Sequence, residues 1–152
     1  MIYLLCLIIG VTAGLRAATP IAAISIGAWL GWIDLSATWA GFLGNIIAVI
    51  VLVMIAALEL VGDKLPQARS RKLPPSFIGR VVSGALAGAL LGLPSGDWIV
   101  GLVAGALGAV GGTLGGFEAR RWLAARLGRD LPAALIEDAV AVIVALLVVY
   151  AA

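Results

Sequence analysis

From Ile46 to Leu58 every side chain is apolar. An amphipathic surface helix would break such a run with a polar residue every third or fourth position, and a half-buried strand would break it at every second. A stretch this uniform must be enclosed on all sides by other apolar matter, and the simplest such medium is lipid. Five more stretches of similar character divide the chain into six candidate helices: Ile2 to Leu15, Pro20 to Ile33, Thr38 to Leu60, Phe77 to Leu93, Trp98 to Phe117 and Ala133 to Tyr150. Whole-chain composition agrees, with 63% hydrophobic and 12% charged residues against about 45–50% and 25% in soluble domains. Apolar-out, polar-in alternation is absent, which argues against a membrane β-barrel. The expected class is all-α: a polytopic membrane helix bundle forming one domain over residues 1–152.

About 20 residues are needed to cross a hydrocarbon core of roughly 30 Å. The third and fifth segments meet that comfortably. The first two fall short, so they must tilt, thin the bilayer, or re-enter without crossing. The stretch Ile2 to Ile9 has no basic residues before it, so it reads as a helix of the mature chain rather than a secretory signal.

The basic residues fall at three connections. Arg16 lies between segments one and two; Lys64, Arg69, Arg71, Lys72 and Arg80 lie between three and four; Arg120, Arg121, Arg126 and Arg129 lie between five and six. The alternate connections carry Asp34 and Asp97 and nothing basic. Because cytoplasmic loops collect Lys and Arg, the expectation is a multi-pass protein of the cytoplasmic (inner) membrane with basic loops inside and both termini outside. Tyr3, Trp29, Trp32, Trp39, Trp98 and Tyr150 would form an aromatic belt at the outer interface. The rival topology treats residues 2–33 as one broken span and leaves Arg16 near mid-membrane. The linker from Gln67 to Arg80 suits anionic lipid headgroups, and Glu118 to Leu127 suits an interfacial extension of the fifth helix. Nucleic-acid binding is not expected at a net charge of +2.

Gly62-Asp63-Lys64-Leu65-Pro66 and Gly128-Arg129-Asp130-Leu131-Pro132 share a pattern, each preceded by a glutamate, Glu59 or Glu118. A repeat of hairpins, or of inverted halves 1–66 and 67–152, would produce it; so would chance. Small residues recur at intervals of four: Ala23, Gly27, Gly31; Gly84, Gly88, Gly92; Gly101, Gly105; Gly108, Gly112, Gly116. Such stripes let helix backbones approach closely where no hydrophobic drive acts between helices. A pore or a sliding interface is the functional alternative. Helices three and six, rich in Ile, Val and Leu, are expected to face lipid or another protomer.

With no histidine and a single cysteine, Cys6, the chain lacks the usual zinc ligands and His-based acid–base chemistry. No enzyme activity, metal or cofactor is expected. Ionisable residues at membrane depth are then the functional candidates. In Gly14-Leu15-Arg16-Ala17-Ala18-Thr19-Pro20, glycine ends one helix, Thr19 suits an N-cap and Pro20 the first helical position. A guanidinium beside free helix N–H groups forms an anion site. The plainer alternative is a turn whose arginine snorkels or pairs with Glu59, Asp63 or Asp130. Glu59, Asp63, Glu118, Glu137 and Asp138 are candidates for counter-charge or a proton path, although acids in the first turns of helix six also suit its dipole. Asp63-Lys64 and Arg129-Asp130 read as salt-bridged turns, and Asn45, Ser25, Ser83 and Thr113 as polar groups satisfied within helix contacts.

The motifs GLRAATP (14–20), ELVGDKLP (59–66), GGTLGGFEAR (111–120), Leu131-Pro132 and Ile136-Glu137-Asp138 together resemble an uncharacterised family of small bacterial membrane proteins, the domain of unknown function numbered 4126. The resemblance implies an integral membrane protein and no activity. The leading expectation is passage of a small solute or ion, in particular an anion, through a homo-oligomer, since 152 residues scarcely enclose a path alone. The alternative is a non-transporting scaffold, a regulatory or a lipid-organising subunit. Transport predicts convergence of polar residues from separate helices; a scaffold predicts a filled interior.

Overall fold

A computed structural model describes residues 1–64 and 74–152 of the chain. These residues form six α-helices and one short 3-10 turn: α1 (Ile2–Leu15), α2 (Thr19–Leu30), the turn Gly41–Gly44, α3 (Ile46–Gly62), α4 (Pro74–Gly92), α5 (Trp98–Leu127) and α6 (Asp130–Tyr150). The bundle is all-helical as expected, and α4, α5 and α6 are each long and apolar enough to cross a membrane. The α1, α2 and α3 helices are apolar but shorter, at 14, 12 and 17 residues.

Several boundaries differ from expectation, and the shifted helix starts have local reasons. The third helix starts at Ile46, not Thr38, because the Asn45 side chain accepts from the Ile47 N–H at 2.9 Å and caps it. The Ser25 hydroxyl, donating to the Leu43 carbonyl at 2.6 Å, pins the preceding 3-10 turn. The sixth helix starts at Asp130, because Pro132 in a first turn has no N–H that needs a partner. Glu137 and Asp138 therefore sit two turns inside α6, beyond the reach of the end-dipole explanation. Thr19 is the first residue of α2 rather than its cap, and its hydroxyl caps nothing.

The glycines act mostly as packing residues. A Cβ at Gly88 would strike the Gly101 carbonyl, one at Gly105 the Gly84 carbonyl, and one at Gly112 the Val11 carbonyl. The α1, α4 and α5 backbones thus pack with little between them. Gly31 departs from the stripe reading: at φ 76° it is the left-handed C-cap of α2. The shared Gly motifs also differ, since Gly62 is helical while Gly128 is a left-handed cap at φ 69°; Leu65 and Pro66 lie outside the described residues, as do residues 67–73 of the basic linker.

The α1 and α2 helices double back as a hairpin instead of forming one broken span. Tyr3 donates to Asp97 at 2.9 Å, Trp32 meets Tyr150 edge-on with centroids 5.3 Å apart, and Ile2 and Ala152 line one cleft. Both chain ends and these aromatic residues therefore share one end of the bundle. The hairpin tip, Arg16, lies about 21 Å from that end at ~1.5 Å per residue along α1. The α4, α5 and α6 helices all continue past the tip.

Only Val49 of α3 is buried. This helix leans on α2, with an open apolar groove of about 630 Å³ on its α4 side and a cavity of about 170 Å³ on its α6 side. It is peripheral, as expected. The α6 helix is not: Ala133, Ala134, Ala141, Ala145 and Val149 form a buried small-residue face, so only its other face is free for lipid or a partner.

Candidate functional site

A hairpin tip leaves backbone groups without partners, because α1 ends in free carbonyls and α2 begins with free N–H groups. Side chains from other helices satisfy both. Arg80 on α4 donates from Nη1 to the Gly14 and Leu15 carbonyls at 2.9 and 2.5 Å, placing a cation at a helix C-terminus. Glu59 on α3 accepts from the Ala17 and Ala18 N–H groups, one on each carboxylate oxygen, at 2.7 Å each, placing an anion at a helix N-terminus. Ser83 donates to the Ala17 carbonyl. Thr113 shares its hydroxyl between Ala109 at 2.7 Å and Gly14 at 3.4 Å.

Arg16 itself is fully buried at 0% exposure. Its Nε donates to Asp138 at 2.7 Å, its Nη1 to Asp63, and its Nη2 lies beside Asp138 and 4.0 Å from Glu137. Each of these acids meets a second cation. Asp138 also accepts from Lys64 at 2.5 Å, Asp63 lies 3.6 Å from Arg80, and Glu137 lies 3.6 Å from Arg120. Arg120 in turn holds Asp130 through Nε and Nη2 at 3.0 and 2.6 Å. Around the tip, four cations, Arg16, Lys64, Arg80 and Arg120, thus interleave with four carboxylates, Glu59, Asp63, Glu137 and Asp138, and Asp130 joins at the rim through Arg120. The group draws on α3, α4, α5, α6 and the hairpin tip, with Lys64 just past the end of α3.

Of the residues expected from sequence, Arg16, Glu59, Asp63, Glu137 and Asp138 converge here. Glu118 stands apart, exposed and paired with Arg121 at 3.0 Å. Thr19 is 5% exposed, and its hydroxyl has no hydrogen-bond partner among the described residues. Three residues not foreseen as site members, Lys64, Arg80 and Arg120, are integral to the group. One of them was legible: Arg80, Gly84 and Gly88 are spaced by four and all buried, so Arg80 lies on the packing stripe. Among the described residues no group of His, Cys, Asp and Glu has the arrangement of a metal site. The exposed Asp34, in the turn after α2, has its pKa lowered by the Ser36 hydroxyl and N–H that donate to it.

Chemically, the hairpin tip is an anion-binding helix terminus that already holds a carboxylate, coupled to a second carboxylate cluster around a buried arginine. No family model, curated protein or solved structure matches the chain, so the family resemblance remains an expectation and the reading of this site rests on its geometry.

Proposed function

We propose that this protein moves a small solute or ion across a membrane as a homo-oligomer, with the interleaved charges at the Arg16 turn as its gate. The observation that carries the reading is the convergence of eight charged side chains from separate elements around Arg16, at 0% exposure. With the aromatic end at one interface of a ~30 Å hydrocarbon core, charges about 20 Å deep still lie within it, where ionisable groups are costly and mark ion or solute paths. A hairpin that stops short of the far interface is also the kind of broken element on which transporters build binding sites at membrane depth. The apolar outer faces of α3 and α6 supply surface for a second protomer.

The proposed orientation has the Arg16 turn facing the cytoplasm. In a Cys6-free background, cysteines at Ser36 and Ser95 should react with an impermeant reagent from outside and one at Ser70 should not; labelling of Ser70 in intact cells overturns it. The function is tested by flux of protons, alkali cations and small anions in proteoliposomes, comparing wild type with Asp138→Asn. Equal background flux from both for every ion removes the transport reading. The scaffold reading then takes its place, supported by the close backbone packing of α1, α4 and α5.

A further inference from the structure

We infer that the start of α2 and the cavity beside it form one binding site for a short-chain aliphatic monocarboxylate, and that Glu59 occupies its polar end as a tethered competitor. The inference rests on the transport reading only for its physiological meaning, not for the site itself.

The polar end is defined by what it holds. Two successive N–H groups, of Ala17 and Ala18, each bind one oxygen of the planar Glu59 carboxylate at 2.7 Å, so the same pair can take any free carboxylate. The Thr19 hydroxyl is the independent sign of a ligand. Thr19 opens α2, so no carbonyl of its own helix lies four residues back to accept its hydroxyl. Thr19 is 95% buried without a partner among the described residues, a condition that costs free energy unless something completes it.

The next residue along each element leads to the apolar end. Thr19 and Leu60, the neighbours of Ala18 and Glu59, both line the 170 Å³ cavity that runs between α2, α3 and α6 past Ala23, Ala57 and Val142. The cleft is half open, and its volume is close to the ~150 Å³ that takes a benzene-sized guest, so a tail of roughly four to six carbons fills it. Glu59 itself fixes the head: what replaces it at the two N–H groups is a single carboxylate. The α3 helix, attached mainly through α2, is the element that must shift to withdraw Glu59.

The test is thermal unfolding of the purified full chain in mild detergent at fixed ionic strength. The probes are acetate, butyrate, hexanoate and decanoate, with hexanamide as the uncharged control. Stabilisation should peak at butyrate or hexanoate and be absent with hexanamide. Glu59→Ala should raise the apparent affinity about 10-fold or more by removing the tethered competitor, and Thr19→Val should lower it about five-fold. Where Glu59→Ala does not fold, the chain-length series on wild type and Thr19→Val decides. Equal shifts with hexanoate and hexanamide, or a shift rising steadily to decanoate as for a lipid-like guest, overturn the site. Chain-length-selective stabilisation without flux of any ion in proteoliposomes keeps the site and removes transport; flux without that selectivity does the reverse.

Discussion

Removing both members of the Arg16–Asp138 pair should cost far less than the two single removals added together. Arg16→Met deletes a fully buried guanidinium that contacts Asp63 and Asp138 and approaches Glu137. Breaking a buried pair costs ~3–5 kcal/mol, because an uncompensated charge stays behind. Here the cost should sit near the low end, ~3 kcal/mol, since Asp138 keeps Lys64, Asp63 keeps Arg80 and Glu137 keeps Arg120. Asp138→Leu leaves Arg16 with Asp63 and Glu137, but leaves Lys64 with only the Leu60 carbonyl, at 3.0 Å, among its hydrogen-bond acceptors in the described residues; ~3–4 kcal/mol is expected. The double variant removes one charge of each sign and restores the balance. It should therefore recover ~2–3 kcal/mol relative to the sum of the singles, the range seen for residues in one network. Unfolding free energies measured by steric trapping in bicelles close the cycle. Additivity within ~0.5 kcal/mol would refute the claim that these charges form one coupled group.

Other outcomes follow from specific contacts. Thr19→Val, which deletes a buried hydroxyl without a partner, should leave stability unchanged or raise it by up to ~1 kcal/mol in the same assay. Gly88→Ala should destabilise by ~1–3 kcal/mol, because its Cβ would meet the Gly101 carbonyl. Gly111→Ala, with nothing within 4 Å of its Cβ, should gain ~0.5–1 kcal/mol from helix propensity; the opposite ranking in thermal melts would mean that these helices pack differently. Ser36→Ala should return the Asp34 pKa toward its ordinary value, read by NMR titration. Because the folded pKa is depressed, the associated stability is present above the unfolded pKa and lost as pH falls through the folded one.

Much of the fold was legible because lipid imposes its pattern on every residue of a span. The helix count and the approximate limits of α1, α2 and α4 follow from where apolar runs stop, and the Gly84 and Gly88 stripe from its spacing. The missed start of α3 is instructive: Thr38 to Leu43 is apolar enough for a helix, but the Asn45 cap overrides composition. The apolar run places Glu137 and Asp138 in the first turns of a helix beginning at Ala133, whereas α6 begins at Asp130 with Pro132 accommodated inside its first turn. The Arg16 turn was legible as a place of interest, but its partners were not. Asp138 lies 122 residues away in sequence, and only tertiary packing brings it there; no local spacing encodes that contact.

A structural explanation of the charges reaches only part of the group. Closing the α1–α2 hairpin at membrane depth requires acceptors for the first N–H groups of α2 and donors for the last carbonyls of α1. Glu59 and Arg80 supply these. Arg16, Asp63, Lys64, Glu137, Asp138 and Arg120 satisfy no backbone group of the break; they chiefly satisfy one another. Buried ion pairs of this kind contribute little net stability, and well-packed apolar residues of equal volume do as well or better. The surplus therefore lies outside what the fold needs. Asp63 and Lys64, at the end of the same helix as Glu59, join the Arg16 pairs to the hairpin cap, so on the proposed reading a shift of α3 would disturb both together.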